Sequence, residues 1–128
     1  MKSADEFPHV LVVDDNIDAA EVLALLIEAD GFTAATAQSL AAARDEIARQ
    51  QPHLVLLDLH LPDGPGLSLL AEIKASQHTA SIQVIVVSGM LEQSVREVAH
   101  LLGAAAFLVK PFEHDQLSRA LQAAQAAR

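Results

Sequence analysis

Asp14, Asp15, Asp58, Ser88 and Lys110 each follow an apolar stretch of the chain: Val10–Val13, Leu54–Leu57, Ile82–Val87 and Ala106–Val109. Such stretches read as strands buried on both faces. The carboxyl ends of strands in an open parallel sheet are where ligands bind. Neighbouring carboxylates repel, and burying them costs energy unless a cation lies between. An all-oxygen set of three carboxylates, without His or Cys, suits a hard cation. Mg²⁺ fits, since it binds through one or two carboxylates completed by waters and phosphate oxygens. A lysine opposite would pair with a phosphoryl oxygen, and a serine hydroxyl can donate to another. Phosphoryl transfer needs such positioning and electrostatics. Asp58 is the best nucleophile candidate, because carboxylates form covalent phosphoryl intermediates. The competing reading makes Asp14 and Asp15 caps of the next helix. Repetition of a polar group at four strand ends outweighs it.

These groups meet only if their strands run side by side in one direction. His9–Val13 predicts a first strand and Ile17–Asp30 a helix, with Ala19, Val22, Leu23, Leu26 and Ile27 inward and Gly31 just past its end. Phe32–Thr36, rich in Ala and Thr, predicts a second strand nearer an edge. Ser39 is a candidate N-cap for a helix over Leu40–Gln50, with Leu40, Ala43 and Ile47 inward, ended by Gln51-Pro52. Leu54–Leu57 is the third strand, Leu59–Pro65 a Pro- and Gly-rich loop, and Gly66–Ser76 a helix with Leu69, Leu70 and Ile73 inward. Ile82–Val87 is followed by a helix over Glu92–Leu102, with Val95, Val98, Ala99 and Leu102 inward. Ala106–Val109 precedes a last, Ala-rich helix over Glu113–Ala127, with Leu117, Ala120, Leu121 and Ala124 on one face. Five alternations of strand and helix predict a parallel sheet covered on both faces, a doubly wound three-layer α/β sandwich.

The 128 residues suit one domain, with Met1–Pro8 as a flexible lead-in. Absence of Cys excludes disulfides and thiol chemistry, and a net charge of −9 argues against direct nucleic-acid or anionic-membrane contact. No apolar run approaches the ~20 residues that cross a bilayer, so a cytoplasmic location is expected. His9, His53, His78, His100 and His114 show no metal-ligand spacing and read mostly as surface residues, as do Arg44, Arg49, Arg96 and Arg119 on helix faces. Gly64 and Gly66 form no dinucleotide loop.

Asp14-Asp15, Asp58 with Leu61-Pro62-Asp63-Gly64, Ser88, and Lys110-Pro111-Phe112 together resemble the receiver domains of two-component response regulators, over nearly the whole chain. The single-domain chemotaxis type is similar. The resemblance implies a flavodoxin-like (βα)5 fold with strand order 2-1-3-4-5. It implies that Asp58 accepts a phosphoryl group from a phosphohistidine on a histidine kinase or phosphotransfer protein. Asp14, Asp15, Asp58 and the backbone carbonyl of His60 would hold Mg²⁺. Ser88 and Lys110 would bind the phosphoryl group, and the Lys110–Pro111 peptide would be cis. Ser88 and Phe107 would form the switch, altering partner binding through helix 4, strand 5 and helix 5; a plain core role for Phe107 competes equally. The chain would catalyse only its own phosphorylation and dephosphorylation.

His60 and Met90 stand where the family tunes dephosphorylation. Met90 cannot hydrogen-bond an attacking water, which predicts slow self-dephosphorylation; acceleration of acyl-phosphate decay in Met90→Glu checks it. His60 would either assist a water or add charge near the phosphoryl group. Ala104-Ala105-Ala106 lacks the acidic residues of regulators that dimerise through this face, which points to a monomer or weak dimer. Two alternatives remain: a phosphorylation-independent interaction module, and a phosphatase using Asp58. The second lacks an acid two residues after the nucleophile, where His60 stands. The output partner is not readable.

Overall fold

The computed structural model describes residues 8–89 and 93–127. Met90 and the lead-in up to Phe7 lie outside them. Strands β1 (His9–Val13), β2 (Thr33–Ala37), β3 (Leu54–Asp58), β4 (Gln83–Ser88) and β5 (Ala106–Val109) form one parallel sheet. Their order is β2-β1-β3-β4-β5, the order the family resemblance implies, with β2 at an edge. The helices are α1 (Ile17–Ala29), α2 (Leu40–Arg49), α3 (Gly66–Ala75), α4 (Gln93–Leu101) and α5 (His114–Ala126).

Alternation along each strand explains the apolar runs. Leu11, Val13, Val55, Leu57, Val84 and Val86 face one side, where they pack with Leu40 and Ala43 of α2, Leu69, Leu70 and Ile73 of α3, and Ala99 of α4. Val10, Val12, Leu54, Leu56, Ile85 and Val87 face the other, against Ala20 and Ile27 of α1 and Leu117, Leu121 and Ala124 of α5. Both faces are therefore dry, and β1, β3 and β4 carry apolar residues at nearly every position, while the edge strand β2 tolerates Thr33 and Thr36.

Two inward assignments are corrected. Val22 is 56% exposed and Val98 is 44% exposed. The stripe of α1 that meets the sheet runs through Ala20, Leu23 and Ile27, and that of α4 through Val95, Ala99 and Leu102. A residue one position off such a stripe is turned about 100° away. His9 is also corrected: it is buried at 8% exposure, with Nδ1 2.8 Å from Thr33 Oγ1. The segment after Asp58 is more ordered than a plain loop, since His60–Leu61 pairs antiparallel with Gly64–Pro65.

Candidate functional site

The four strands β1, β3, β4 and β5 end on one edge, so the polar residues at or just past their ends converge. Asp14 is 3% exposed and Asp58 8% exposed, at the ends of adjacent central strands. Asp15 is exposed, and one carboxylate oxygen from each of Asp14, Asp15 and Asp58 lies within 4.8 Å of the others. Lys110 Nζ stands 2.8 Å from Asp58 Oδ2 and 3.3 Å from Asp14 Oδ2. Ser88 is buried at the end of β4, and its carbonyl accepts the Lys110 N–H at 2.8 Å. The Lys110–Pro111 peptide is cis.

Neither aspartate of the first pair caps α1. Asn16 does, with its side chain accepting the Ala19 N–H at 2.9 Å. Asp14 Oδ1 accepts the Asn16 N–H at 3.0 Å, which orients the carboxylate while Oδ2 faces Lys110. Asp58 is held similarly: Oδ1 accepts the His60 N–H at 2.8 Å and Oδ2 accepts from Lys110. Each buried carboxylate thus has one oxygen fixed by the next turn of backbone and one turned toward the ammonium. The side chain of His60 is exposed.

Burial acts to lower the pKa of Lys110, but the hydrogen bond and charge of Asp58, with Asp14 behind it, outweigh burial and hold it above the ordinary lysine value. Lys110 is therefore a fixed cation at neutral pH. One ammonium pairs with Asp14 and Asp58, and Asp15 adds a third carboxylate, so the cluster keeps an excess of negative charge. An all-oxygen donor set with surplus negative charge fits a hard divalent cation such as Mg²⁺. Among the described residues this is the cluster of acidic and His side chains spaced to hold a metal.

Two features escaped sequence reasoning. A Cβ on Gly66 would lie 2.4 Å from the Asp58 carbonyl oxygen and 2.9 Å from Leu59 Cα, so only glycine admits the start of α3 so close to the end of β3. The Leu61-Pro62-Asp63-Gly64-Pro65-Gly66 run marked the loop, but not which glycine was sterically required. Arg96 is also more than a solvated helix charge: its guanidinium carbon is 5.9 Å from the centroid of the Phe107 ring. Phe107 is half-buried, packed against the core on one side and lining the groove between α4 and β5 on the other.

Comparison with known proteins agrees with this geometry. Residues 10–122 match the family model of the response regulator receiver domain. The chain is 33% identical over 116 residues to the KDP operon transcriptional regulatory protein KdpE of Escherichia coli, covering 91% of this chain and 50% of that one. The receiver domain of NtrX from Brucella abortus superposes with a TM-score of 0.86 at 31% identity, covering 93% of this chain and 99% of that one. A response regulator receiver domain protein from Clostridium thermocellum superposes with a TM-score of 0.87 at 27% identity, covering 94% and 96%. The chain spans about half the length of curated relatives such as KdpE and PhoB, and about a quarter of NtrX. Family model, identity and superposition agree with the acidic cluster at the strand ends: the chain belongs to the response regulator receiver domain family.

Proposed function

We propose that Asp58 accepts a phosphoryl group from a phosphohistidine of a histidine kinase or phosphotransfer protein, and that the modified domain alters its binding to an output partner. The observation that carries this reading is the pairing of Lys110 Nζ with Asp58 Oδ2 at 2.8 Å inside the three-carboxylate cluster. In the transfer, an Asp58 carboxylate oxygen gives an electron pair to phosphorus. The P–N bond to the donor imidazole breaks, and its electrons stay on the ring nitrogen. Asp14, Asp15, Asp58 and the His60 carbonyl would hold Mg²⁺, which when bound neutralises charge on the phosphoryl oxygens. Lys110 moves from Asp58 to a phosphoryl oxygen with little displacement, and the Ser88 hydroxyl donates to another.

The groove lined by Arg96, Ala99, Ala105 and Phe107 is the surface proposed to change. Val98 is 44% and Leu101 82% exposed on α4 beside it, so a partner finds apolar area there. Drawing Ser88 toward the phosphoryl group would free space for the Phe107 ring, a local charge event read out by a two-state element.

The test is incubation with acetyl phosphate and Mg²⁺, read by intact mass. Wild type should gain one phosphoryl group, and Asp58→Asn should gain none. A chain that stays unlabelled while folded and Mg²⁺-loaded would revive the phosphorylation-independent reading. Sustained turnover of a generic phosphate ester would favour the phosphatase.

A further inference from the structure

The first turn of α2 exposes backbone N–H groups that have no partner within the helix. Its own N-cap supplies only one: Ser39 Oγ accepts the Ala42 N–H at 3.0 Å. The Ala43 N–H makes the first helical bond, to the Ser39 carbonyl at 3.0 Å. The two remaining donors are taken from far along the chain. Asp63 Oδ1 accepts the Leu40 N–H at 2.8 Å, and Asp63 Oδ2 accepts the Ala41 N–H at 3.0 Å. A carboxylate at the positive end of a helix is well placed electrostatically. These two bonds also hold the Asp63 carboxyl below its usual range.

Asp63 sits at the tip of the ribbon in which His60–Leu61 pairs with Gly64–Pro65. The next residue packs on the same helix end: a Cβ on Gly64 would lie 3.0 Å from Leu40 Cδ1. At its base the ribbon is tied by the Gly66 N–H to the Leu59 carbonyl at 2.9 Å and by the His60 N–H to Asp58 Oδ1 at 2.8 Å. The anchor is firm, because Leu40 and Ala43 are buried in the core. Both Asp63 oxygens accept backbone N–H groups of α2, whereas Asp14 and Asp58 each turn one oxygen to Lys110.

We infer that Asp63 is a positioning residue for the acceptor site: its clamp on α2 holds the ribbon so that the His60 peptide keeps the orientation that fixes Asp58. The inference rests on the proposed reading of Asp58 as acceptor and of the His60 carbonyl as a cation ligand. Groups hydrogen-bonded to a metal ligand typically change metal affinity by about 10- to 100-fold when lost; Asp63 acts through the ribbon rather than on a ligand directly, so the lower end of that range is expected.

The test compares wild type, Asp63→Ala and Asp63→Asn in the full chain. Three quantities are read: Mg²⁺ affinity by calorimetry, labelling rate with acetyl phosphate, and amide hydrogen exchange at Leu40, Ala41 and His60. Asp63→Ala should weaken Mg²⁺ binding by about 10-fold, slow labelling by a similar factor and speed exchange at all three amides. Asp63→Asn, whose Oδ1 still accepts one bond, should recover part of each. Faster exchange at Leu40 and Ala41 with unchanged exchange at His60, Mg²⁺ affinity and labelling would overturn the proposal, reducing Asp63 to a helix cap. If Asp63→Ala does not fold, Asp63→Asn against wild type carries the same readings. If wild type binds no Mg²⁺ and takes no phosphoryl group, the acceptor reading falls. His60 exchange then decides the positioning claim alone.

Discussion

At the carboxyl-terminal edge of the sheet, Asp14 and Asp58 share the single ammonium of Lys110, and Asp15 adds a third negative charge. At the amino-terminal edge, several polar groups are matched to one another. The His9 N–H donates to His53 Nδ1 at 2.9 Å, and the His53 N–H returns to the His9 carbonyl at 2.8 Å. Lys74 Nζ donates to the carbonyls of Ala80 and Ile82 at 3.0 and 2.6 Å, and Thr79 Oγ1 donates to the Ile73 carbonyl at 2.7 Å. Both edges carry partly buried charge, so burial of polar groups alone does not mark the functional one. What marks it is surplus charge: three carboxylates against one ammonium, a set that suits a cation and, on the proposed reading, a phosphoryl group. The matched edge contributes order, and the mismatched edge gives up stability for chemistry.

Several measurements would break or sharpen this contrast. The largest effect is expected at Asp58, where Asn should abolish phosphoryl labelling altogether while leaving the far-ultraviolet dichroism unchanged. Next comes Lys110→Ala, which should slow labelling by about 10²–10³-fold, the usual cost of losing one donor aimed at developing charge. Because the Lys110 pKa is raised in the folded state, its contribution to stability is complete below the unfolded lysine value and fades as pH climbs through the folded one. Labelling by acetyl phosphate should therefore show no loss attributable to Lys110 between pH 7 and about pH 10.

The surplus itself is tested by Asp14→Asn. In Mg²⁺-free buffer this variant should be more stable than wild type by about 1 kcal/mol in urea denaturation, because one repelling carboxylate is gone. Wild type should gain about 2.7 kcal/mol at a Mg²⁺ concentration 100-fold above its Kd, and the variant should gain little. A destabilised Asp14→Asn would mean that the cluster is balanced by Lys110 alone.

Smaller effects belong to the opposite edge. Lys74→Met should cost about 1 kcal/mol, since two carbonyls lose a charged donor, and should leave labelling within about twofold of wild type. His9 gives the smallest signal. Burial lowers its pKa against the opposing pull of Glu46, so the unfolded chain binds the proton more readily. Stability should then fall as pH drops below about 6.5. The pH slope should flatten in His9→Gln, with labelling unaffected.

Much of this was legible because the physics is local or periodic. The runs Val10–Val13 and Leu54–Leu57 announced strands dry on both faces, and Gly31, with φ of 93°, and Ser39 marked helix ends by their own backbone and side-chain chemistry. The meeting of Asp14, Asp15, Asp58 and Lys110 was readable too, because parallel strands place every carboxyl end on one edge. Other features depended on partners remote in sequence. Val22 and Val98 fit an inward periodicity, but the sheet meets the stripes through Leu23 and Ile27 of α1 and Val95 and Ala99 of α4, which leaves them at the surface. His9 looked like a surface histidine until Thr33 and His53 were brought against it.

The sequence by itself determined the order of elements, the parallel sheet and the edge on which the charged residues gather, since these follow from composition and period along the chain. Only the tertiary structure decided which backbone groups each carboxylate serves. Asp63 and Asp58 are five residues apart and chemically identical, yet one closes the N-terminus of α2 and the other faces Lys110. That difference comes from where the ribbon between them folds, a contact of long sequence separation that no local pattern encodes.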